Sequence, residues 1–508
     1  MGAEGAILGP VNIPPLLSAL RPTLSLRSLS VVPVVLVASL SSCQCRQGVD
    51  DSQLADTQLA WEPAQTVVLI TIDSLSPRIL LGETWDWEVA PTLHGVFDES
   101  VLLPNVLTPA GVTRPALASV LTGLYPQQHG ARTNSAELRA GTSLLRRFRD
   151  EGYTSYGFSS NQCPLIRDGD TDEYLCTWND ELTGTYNLEE RDQLLVDGLI
   201  ERLTLQPADD PMFLWLHVNN VHHPYMADRD LAEEYYGGAY MGFLNPGDDD
   251  MVADVTLGQI GYTADERRYL EANYAAQLTQ TDAMIGDVLQ TLRDLGRYDD
   301  AIIVLGADHG EELAERQDVD YFWHGCSPYN SVLRVVYSLR APGRIQGGQV
   351  LDGWVSSTDL APTIVELASS FRWAGEKAGS SLVPYLTGGA APDAPVYSGR
   401  GTGTAVMIQQ DFKYLLADAE EYSSCEPYSG SKQGYASRLE ELYNLSVDGA
   451  EEIDLISSEP ERVVAMHTTM CEWMVDVGWV SSEQADDNLL FSECEVWLCE
   501  VGSEYCTD

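Results

Sequence analysis

Residues 67–75 read VVLITIDSL, an apolar run that passes directly into Asp73. Residues 212–217, MFLWLH, and residues 301–308, AIIVLGAD, have the same form. Short and nearly unbroken apolar runs are typical of strands that are buried on both faces of a parallel sheet. We therefore predict that all three runs are buried strands of one such sheet.

A long amphipathic helix is predicted between the second and third of these strands. Thr263 and Glu266 have the spacing of a capping box, apolar residues follow at steps of three or four from Leu270, and Gly296 ends the pattern. A strand, a helix and a further strand form a βαβ-like crossover, so the predicted fold class is α/β.

Candidate metal ligands follow all three strands. Asp73 ends the first, His217 and then His222 follow the second, and Asp308 and His309 follow the third. Because open α/β sheets bind ligands at the carboxyl ends of their strands, we expect these side chains to meet at one edge. Carboxylates combined with imidazoles suit zinc or manganese better than calcium, which prefers cages of oxygen atoms. Taken singly, each residue also fits a strand-end cap or a surface turn.

A turn followed by a helix is predicted at residues 111–123, GVTRPALASVLTG, with Thr113 at the N-cap and Gly123 at the end. A hydroxyl there lies where free backbone N–H groups and the helix dipole stabilise an anion. Metal coordination would lower the pKa of the Thr113 hydroxyl and make it a nucleophile toward an ester of a tetrahedral oxyacid. The simpler alternative is that Thr113 is only a cap.

Five stretches, taken in order, resemble motifs of the sulfatase-type branch of the alkaline phosphatase superfamily. They are VVLITIDSL (67–75), TPAGVTRPALASVLTGLYPQQHG (108–130), FLWLHVNNVHHPY (213–225), IIVLGADHGEE (302–312) and HGCSPYNSVLRVVYSLRAPG (324–343). KYLL (413–416) and LYNLSVDGAEEIDL (442–455) look like the closing segment of that family. The resemblance implies an alkaline-phosphatase-like sandwich, in which helices flank a large, mostly parallel sheet and a smaller α+β subdomain follows at the C-terminus.

The resemblance also implies site roles, residue by residue. The implied metal ligands are Asp73, Thr113, Asp308 and His309, of which Thr113 is also the nucleophile. His222 matches the family histidine that contacts the substrate's charged head group or its leaving oxygen. His324 falls where relatives place a lysine or histidine that acts on the leaving group or binds a second metal. His217 and His129 also fit family patterns, and we interpret both as packing or hydrogen-bonding residues.

Departures from the family pattern disfavour formylglycine chemistry. Sulfatases carry a Cys or Ser that is oxidised to formylglycine at the position of Thr113, and threonine would give a ketone instead of an aldehyde. Leu117 occupies the position at which sulfatases have an arginine in this helix. Arg114 is therefore the candidate guanidinium for binding the anion. The second acid of calcium sulfatases is Ser74 here. The remaining ligand set is more similar to that of the phosphoryl-transferring members.

We accordingly predict a metal-dependent, sulfatase-like hydrolase that cleaves a sulfuric or phosphoric ester through a covalent Thr113 intermediate, with the phosphoester favoured. Zinc or manganese is the favoured divalent metal, and calcium and magnesium are the alternatives. Two other functions stay open: a phosphoethanolamine- or glycerophosphate-type transferase, and a non-catalytic binding protein of the same fold.

The N-terminal residues 1–45 are interpreted as a signal peptide. Their apolar run, residues 31–40, is too short for a membrane span but suits a secretion signal. The run ends in LSSC, which resembles the bacterial lipobox and predicts a lipid anchor on Cys43; an ordinary signal with a chance cysteine is the alternative. We expect an exported protein on the periplasmic face of a bacterial membrane or at the cell surface. The predicted domains are the signal and lipobox (1–45), a tether (46–65), the catalytic domain (66–395) and a C-terminal subdomain with a cysteine-rich tail (396–508).

The cysteine count agrees with export. Eight of the ten cysteines remain after Cys43 and Cys45, and an even number in an exported chain favours disulfides. The rival interpretation is a zinc site formed by Cys494, Cys499 and Cys506, but this cluster has neither a CxxC pair nor an adjacent histidine.

The charge of the chain limits its partners. With 29 Lys and Arg against 77 Asp and Glu, the formal net charge is -48, which excludes nucleic-acid binding through a basic surface. The predicted partner is a small anionic ester held by the metal, and membrane contact is expected through the lipid anchor only.

Overall fold

A computed structural model describes residues 61–479 except 86, 140, 162, 168, 178–186, 246–247, 249–250, 252–253, 256–259, 315–321, 326, 370–372, 374–377, 401–402 and 419–437, and it also describes residues 494, 497 and 498. The predicted signal peptide, the lipobox Cys43 and the tether up to residue 60 lie outside the described residues. Among the helices of the described part, none is long and apolar enough to cross a bilayer.

The strands are numbered in chain order. They are β1 (Thr66–Ile72), β2 (Val101–Leu107), β3 (Thr154–Ser159), β4 (Glu173–Cys176), β5 (Met212–Val218), β6 (Ile302–Ala307), β7 (Glu312–Leu313), β8 (Phe322–Trp323), β9 (Arg334–Arg340), β10 (Gln349–Val350), β11 (Val355–Ser356), β12 (Val396–Arg400), β13 (Thr404–Gln409), β14 (Phe412–Asp418) and β15 (Arg438–Asn444).

The main sheet has nine strands in the order β10-β2-β9-β6-β1-β5-β3-β4, with β11 also paired to β2. β9 is antiparallel to both of its neighbours, and the other pairs are parallel. Because β1 is paired with β5 on one side and with β6 on the other, the ends of these three strands lie side by side at one edge. This arrangement confirms the predicted α/β class and the predicted parallel sheet.

The helices are numbered in the same way. They are α1 (Pro77–Leu80), α2 (Pro91–Asp98), α3 (Thr113–Thr122), α4 (Pro126–His129), α5 (Leu144–Asp150), α6 (Leu188–Leu205), α7 (Arg229–Tyr236), α8 (Ala264–Asp294), α9 (Asn330–Leu333), α10 (Leu360–Ala368), α11 (Val383–Leu386) and α12 (Pro460–Asp476).

The long helix α8 begins at the predicted capping box. Thr263 N donates to Glu266 Oε2 at 2.6 Å, and Glu266 N donates to Thr263 Oγ1 at 3.3 Å. Leu270, Tyr274 and Leu278 are among its fully buried residues, and the helix connects β5 to β6 as expected of a crossover. The burial of its apolar face, not helix propensity, stabilises such a helix.

A small antiparallel sheet, β12-β13-β14-β15, and helix α12 form the C-terminal region. Its first strand packs against the main sheet, because Gly399 N donates to Pro109 O at 3.0 Å and Val396 shares a buried cluster with Leu107 and Val332. Disulfides join Cys163 to Cys176 and Cys471 to Cys494, as the even cysteine count predicted. The other cysteines lie outside the described residues, and the domain boundary at residue 395 stays a prediction.

Candidate active site

The first predicted ligand, Asp73, lies in a turn that is held in place on two sides by contacts of its neighbour Ser74. Ser74 has a φ of 56° directly after β1, and its N–H donates to Asp308 Oδ1 at 3.3 Å. Its hydroxyl donates to Asp73 Oδ1 at 3.0 Å. From helix α8, Tyr274 donates to Ser74 O at 2.6 Å and accepts from Ser76 N at 2.7 Å. A left-handed φ in a residue other than glycine is characteristic of functional turns, and here it sets the position of two carboxylates.

His309 lies at the centre of the predicted ligand set. Its Nε2 is 3.3 Å from Thr113 Oγ1, 3.4 Å from Asp308 Oδ2 and 3.5 Å from Asp73 Oδ1. Its Nδ1 lies 2.9 Å from Gly310 O, so Nδ1 carries the proton and Nε2 keeps a lone pair for a metal. The fold therefore brings Asp73, Thr113, Asp308 and His309 together from three different segments of the chain.

These four residues fit a divalent metal by distance. Tetrahedral coordination at about 2.0–2.1 Å separates ligand atoms by about 3.3–3.4 Å, which matches the spacings around His309 Nε2. All four side chains are buried, and Asp308 Oδ2 has no hydrogen-bond partner in the described part of the chain. A divalent cation would compensate two buried carboxylates and would give the unpartnered oxygen a ligand role.

The electrostatics of the two carboxylates support the same conclusion. Burial and the charge of Asp73 raise the pKa of Asp308 well above its usual range. Burial alone would raise the pKa of Asp73 too, but the interaction with His217 and the charges of His222 and His309 outweigh it and hold that pKa well below its usual range. A metal ion would remove the penalty on ionising Asp308.

His217 has a second possible role beside the packing role inferred from the sequence. Its Nε2 is 3.5 Å from Asp73 Oδ2, and its Nδ1 lies 3.0 Å from Thr71 Oγ1. Donor atoms of Asp73, His217 and Asp308 lie within 4.8 Å of one another. His217 is therefore a candidate additional ligand. His129, in contrast, is bonded to Ser119 Oγ at 3.1 Å and Ala131 N at 3.1 Å, as a packing residue would be.

Thr113 is the first residue of helix α3 and not its N-cap, which is Val112. The anion site at this helix end is also smaller than the sequence suggested. The N–H of Arg114 already donates to Asn134 Oδ1 at 2.9 Å, and Pro115 has no N–H. Arg114 and Pro115 therefore offer no N–H to an anion at this helix end.

Arg114, the candidate guanidinium for the substrate, is mostly buried. Its Nη1 donates to Ala136 O at 3.0 Å, and burial lowers its pKa while Tyr174 partly offsets that effect. The guanidinium is thus held by the protein, and a role in binding substrate stays a prediction.

His222 and His324 lie together beside the ligands. The ring of His324 is 4.5 Å from that of His309 and 4.8 Å from that of His222. Burial, with the charges of His309 and His222, lowers the pKa of His324 well below its usual range. A turn in which His222 N donates to Asn219 O at 3.1 Å presents His222 at the end of β5. Two further imidazoles therefore lie beside His309.

Three residues of the site were missed in the sequence. Asn161 follows β3 and donates to Asp73 Oδ2 at 2.7 Å and to Asn219 Oδ1 at 2.8 Å. Glu311, which is fully buried, lies 3.3 Å from His324 Nδ1. Asn219 directly follows β5 and Asn161 comes two residues after the end of β3, so the rule that found Asp73 and Asp308 could have found them. Glu311 stands in the quoted DHGEE stretch but carried no assigned role.

Comparison with known proteins decides the family. A family model described as Sulfatase matches residues 65–370. The chain belongs to the sulfatase family. This places it in the alkaline phosphatase superfamily and confirms the resemblance inferred from the five motifs.

Relatives of this chain include a choline-sulfatase and a multifunctional member of the alkaline phosphatase superfamily. Choline-sulfatase of Rhizobium meliloti (strain 1021) is 22% identical over 374 residues, 63% of this chain and 71% of that protein. The multifunctional alkaline phosphatase superfamily protein PehA of Trinickia caryophylli is 32% identical over 142 residues, 26% of each chain. That second alignment spans only about a quarter of the relative's length.

Solved structures share the fold of this sulfatase. BT4656, in complex with its substrate D-glucosamine-2-N,6-O-disulfate, has a TM-score of 0.65 at 14% identity, over 85% of this chain and 100% of that one. The phosphonate monoester hydrolase SpPMH from Silicibacter pomeroyi has a TM-score of 0.61 at 20% identity, over 81% and 95%. Together the relatives support a sulfatase-like ester hydrolase, and the sulfatase family generally binds a divalent metal.

Proposed function

We propose that this sulfatase is a metal-dependent hydrolase of a small anionic sulfuric or phosphoric ester, and that Thr113 forms the covalent intermediate. The observation that carries the proposal is the position of the Thr113 hydroxyl. Oγ1 lies 3.4 Å from Asp73 Oδ2 and 3.3 Å from His309 Nε2, at the first residue of a helix. A hydroxyl in that position has a proton acceptor, a polarising environment and a helix N-terminus beside it.

Asp73, Thr113, Asp308 and His309 would hold the metal, with His217 as a candidate fifth residue. A bound divalent cation would supply charge neutralisation and would lower the pKa of a coordinated hydroxyl. Thr113 donates its proton toward Asp73 Oδ2 as Oγ1 forms a bond to phosphorus or sulfur. The N–H of Thr113 then faces the developing negative charge.

Release of the alcohol requires a proton, which His324 or His222 donates to the leaving oxygen as its bond to phosphorus or sulfur breaks. Because burial lowers the pKa of His324, this imidazole is protonated only when the negative charge of the bound ester lies beside it. In the second step, the same imidazole accepts a proton from a water molecule, whose oxygen forms a bond to phosphorus or sulfur as the bond to Thr113 Oγ1 breaks. Asp73 returns its proton to Oγ1, which restores the hydroxyl and releases the inorganic oxyanion. One imidazole thus acts first as acid and then as base. The closeness of the His309, His222 and His324 rings supports this assignment.

Phosphoric esters are the favoured substrates because threonine replaces the residue that sulfatases oxidise. A threonine hydroxyl forms an ordinary ester with a phosphoryl or sulfuryl group without prior oxidation. The phosphonate monoester hydrolase among the structural neighbours supports a phosphorus-centred substrate, and the choline-sulfatase relative supports the sulfuric alternative.

We further propose that the protein is exported and anchored by a lipid on Cys43. The disulfides Cys163–Cys176 and Cys471–Cys494 support an oxidising compartment. Metabolic labelling of bacterial cells with a radioactive fatty acid, compared between wild type and Cys43→Ala, would test the anchor. We expect label on the wild-type protein and none on the variant.

Thr113→Ala tests the proposed chemistry. Purified wild type and variant are loaded with zinc or manganese, and hydrolysis of aryl sulfate, phosphate monoester, phosphate diester and phosphonate substrates is measured. We expect the variant to keep its metal, checked by elemental analysis, and to lose at least about 10³-fold in kcat. Thr113→Ser is the matched control and should retain turnover. Full turnover by Thr113→Ala with bound metal would overturn the proposal, and product formed only with an added alcohol acceptor would indicate a transferase instead.

A further inference from the structure

Glu311 is a fully buried carboxylate that the chemistry above leaves unused. It follows Gly310 after β6, and its side chain is 0% exposed. Its Oε1 and Oε2 lie 3.3 Å and 3.4 Å from His324 Nδ1. Burial of an acid without a partner is costly, so the contact with His324 is part of what holds Glu311 in this place.

The backbone beside Glu311 is also constrained. A Cβ on Gly310 would lie 2.2 Å from Ser331 O, so only glycine permits the chain to pass helix α9 at this point. This close approach fixes where the next residue, Glu311, begins. The direction of the carboxylate is therefore set by the main chain as well as by His324.

Ser74 completes the surroundings of His324 Nδ1. Its Oγ is 3.5 Å from that nitrogen, and its hydroxyl proton is directed to Asp73 Oδ1 at 3.0 Å. Nδ1 of His324 thus faces oxygen atoms of both Glu311 and Ser74. Because Nδ1 is engaged in this way, Nε2 is the ring nitrogen left for the substrate.

We propose that Glu311 is the positioning residue for His324: its carboxyl oxygens lie against Nδ1 and so direct Nε2 toward the leaving oxygen of the substrate. The inference rests on the proposed function, in which His324 is a candidate acid. In many enzymes a carboxylate binds one ring nitrogen of a catalytic histidine and so orients the other nitrogen toward the substrate. Glu311 and Nδ1 of His324 have the same arrangement. In the described part of the chain, His222 Nδ1 lies against the carbonyl of His223 instead of a carboxylate.

Leaving-group dependence distinguishes this role from a merely structural one. Rates are measured with p-nitrophenyl phosphate, whose leaving group departs without a proton, and with an unactivated alkyl phosphate, whose leaving group needs one. We expect Glu311→Met to lose about 10²-fold in kcat/KM on the alkyl ester and less than about 10-fold on the aryl ester. Glu311→Gln, which keeps an oxygen for Nδ1, should recover most of the alkyl-ester activity.

His324→Ala gives the second half of the test. This variant should lose activity on the alkyl ester and keep most of it on the aryl ester. Adding Glu311→Met should cause little further loss, because Glu311 and His324 act together and either substitution already removes their joint contribution. Glu312→Gln is the matched control: this neighbouring acid is equally buried but bonds to Ser327 and Ser331, and its variant should keep the wild-type ratio between the two esters. Equal losses on the two esters, or losses that multiply in the double variant, would overturn the proposal.

A spectroscopic readout separates this proposal from the proposed function. The protein is labelled with ¹⁵N at its histidine rings, and the resonances of His324 are identified because they are missing in His324→Ala. The chemical shift of His324 Nδ1 should change in Glu311→Met and stay the same in Glu312→Gln. If the wild-type protein hydrolyses no ester, the proposed function is wrong. The chemical shift still shows whether Glu311 contacts Nδ1 of His324. An unchanged Nδ1 shift in Glu311→Met would overturn the role of Glu311.

Discussion

Asn161 Nδ2 lies 2.7 Å from Asp73 Oδ2, so a residue just after β3 orients a predicted metal ligand just after β1. The same nitrogen lies 2.8 Å from Asn219 Oδ1 at the end of β5. Hydrogen bonds of this kind direct the lone pairs of a ligand and tune its affinity for the metal.

Asn161→Ala should weaken metal binding by about 10–100-fold, because Asp73 loses a donor that holds its carboxylate in place. Competition with a chromophoric chelator measures the change in Kd directly. Asn105→Ala, which removes an exposed amide bonded to Asp352 O, is the control and should bind metal as wild type does. Unaltered metal affinity in Asn161→Ala would contradict this role.

Asp308→Asn should abolish metal binding and activity together. It should also make the metal-free protein more stable than metal-free wild type, because burial and the charge of Asp73 raise the pKa of Asp308 and so penalise its ionised form at neutral pH. Elemental analysis and the Tm in the presence of EDTA give the two readouts, with Asp299→Asn on the exposed surface as control. A variant that retained stoichiometric metal would remove Asp308 from the ligand set.

Asp192→Asn should change how stability depends on pH. Asp192 on α6 accepts from Asn219 N and Asn220 N, both at 2.7 Å, and burial raises its pKa from the usual 3.8 to about 7. Between these two pH values the unfolded chain has released a proton that the folded protein keeps, so wild-type stability falls as the pH rises through this window.

The amide introduced by Asp192→Asn cannot titrate, so the Tm of this variant minus that of wild type should increase between about pH 4 and pH 7 and change less outside it. Thermal unfolding across this range, with Asp98→Asn as the exposed control, measures the difference. A constant difference at every pH would show that Asp192 does not titrate in this window.

Replacing Cys163 and Cys176 together by serine should lower the free energy of unfolding by about 2–4 kcal/mol, since the disulfide closes a short loop. The loss should be accompanied by weaker metal binding, because Cys176 Sγ lies 3.8 Å from Asn161 O and the disulfide restrains the segment that carries Asn161. Urea unfolding and the chelator competition measure the two effects. Replacing Cys471 and Cys494, in the C-terminal region, by serine is the comparison. This change should lower the stability without changing the affinity for metal.

The sequence by itself determined the class of sheet and the candidate ligands. Apolar runs that end in Asp73 and Asp308 predicted buried parallel strands, and the observed strands β1 and β6 end at the residues immediately before these acids. The spacing of apolar residues and the capping box likewise predicted α8. These elements can be predicted because the local pattern of apolar residues determines which face of each is buried.

Only the tertiary structure decided which side chains meet. Ser74 and His324 are separated by 250 positions in the chain, and no spacing in the sequence shows that Glu311 and Ser74 face the same imidazole nitrogen. The reduced anion site at Thr113 also depends on Asn134, a residue brought to the helix end by a distant turn. Strand order and register set these contacts, and both result from packing of the whole sheet, which local sequence does not encode.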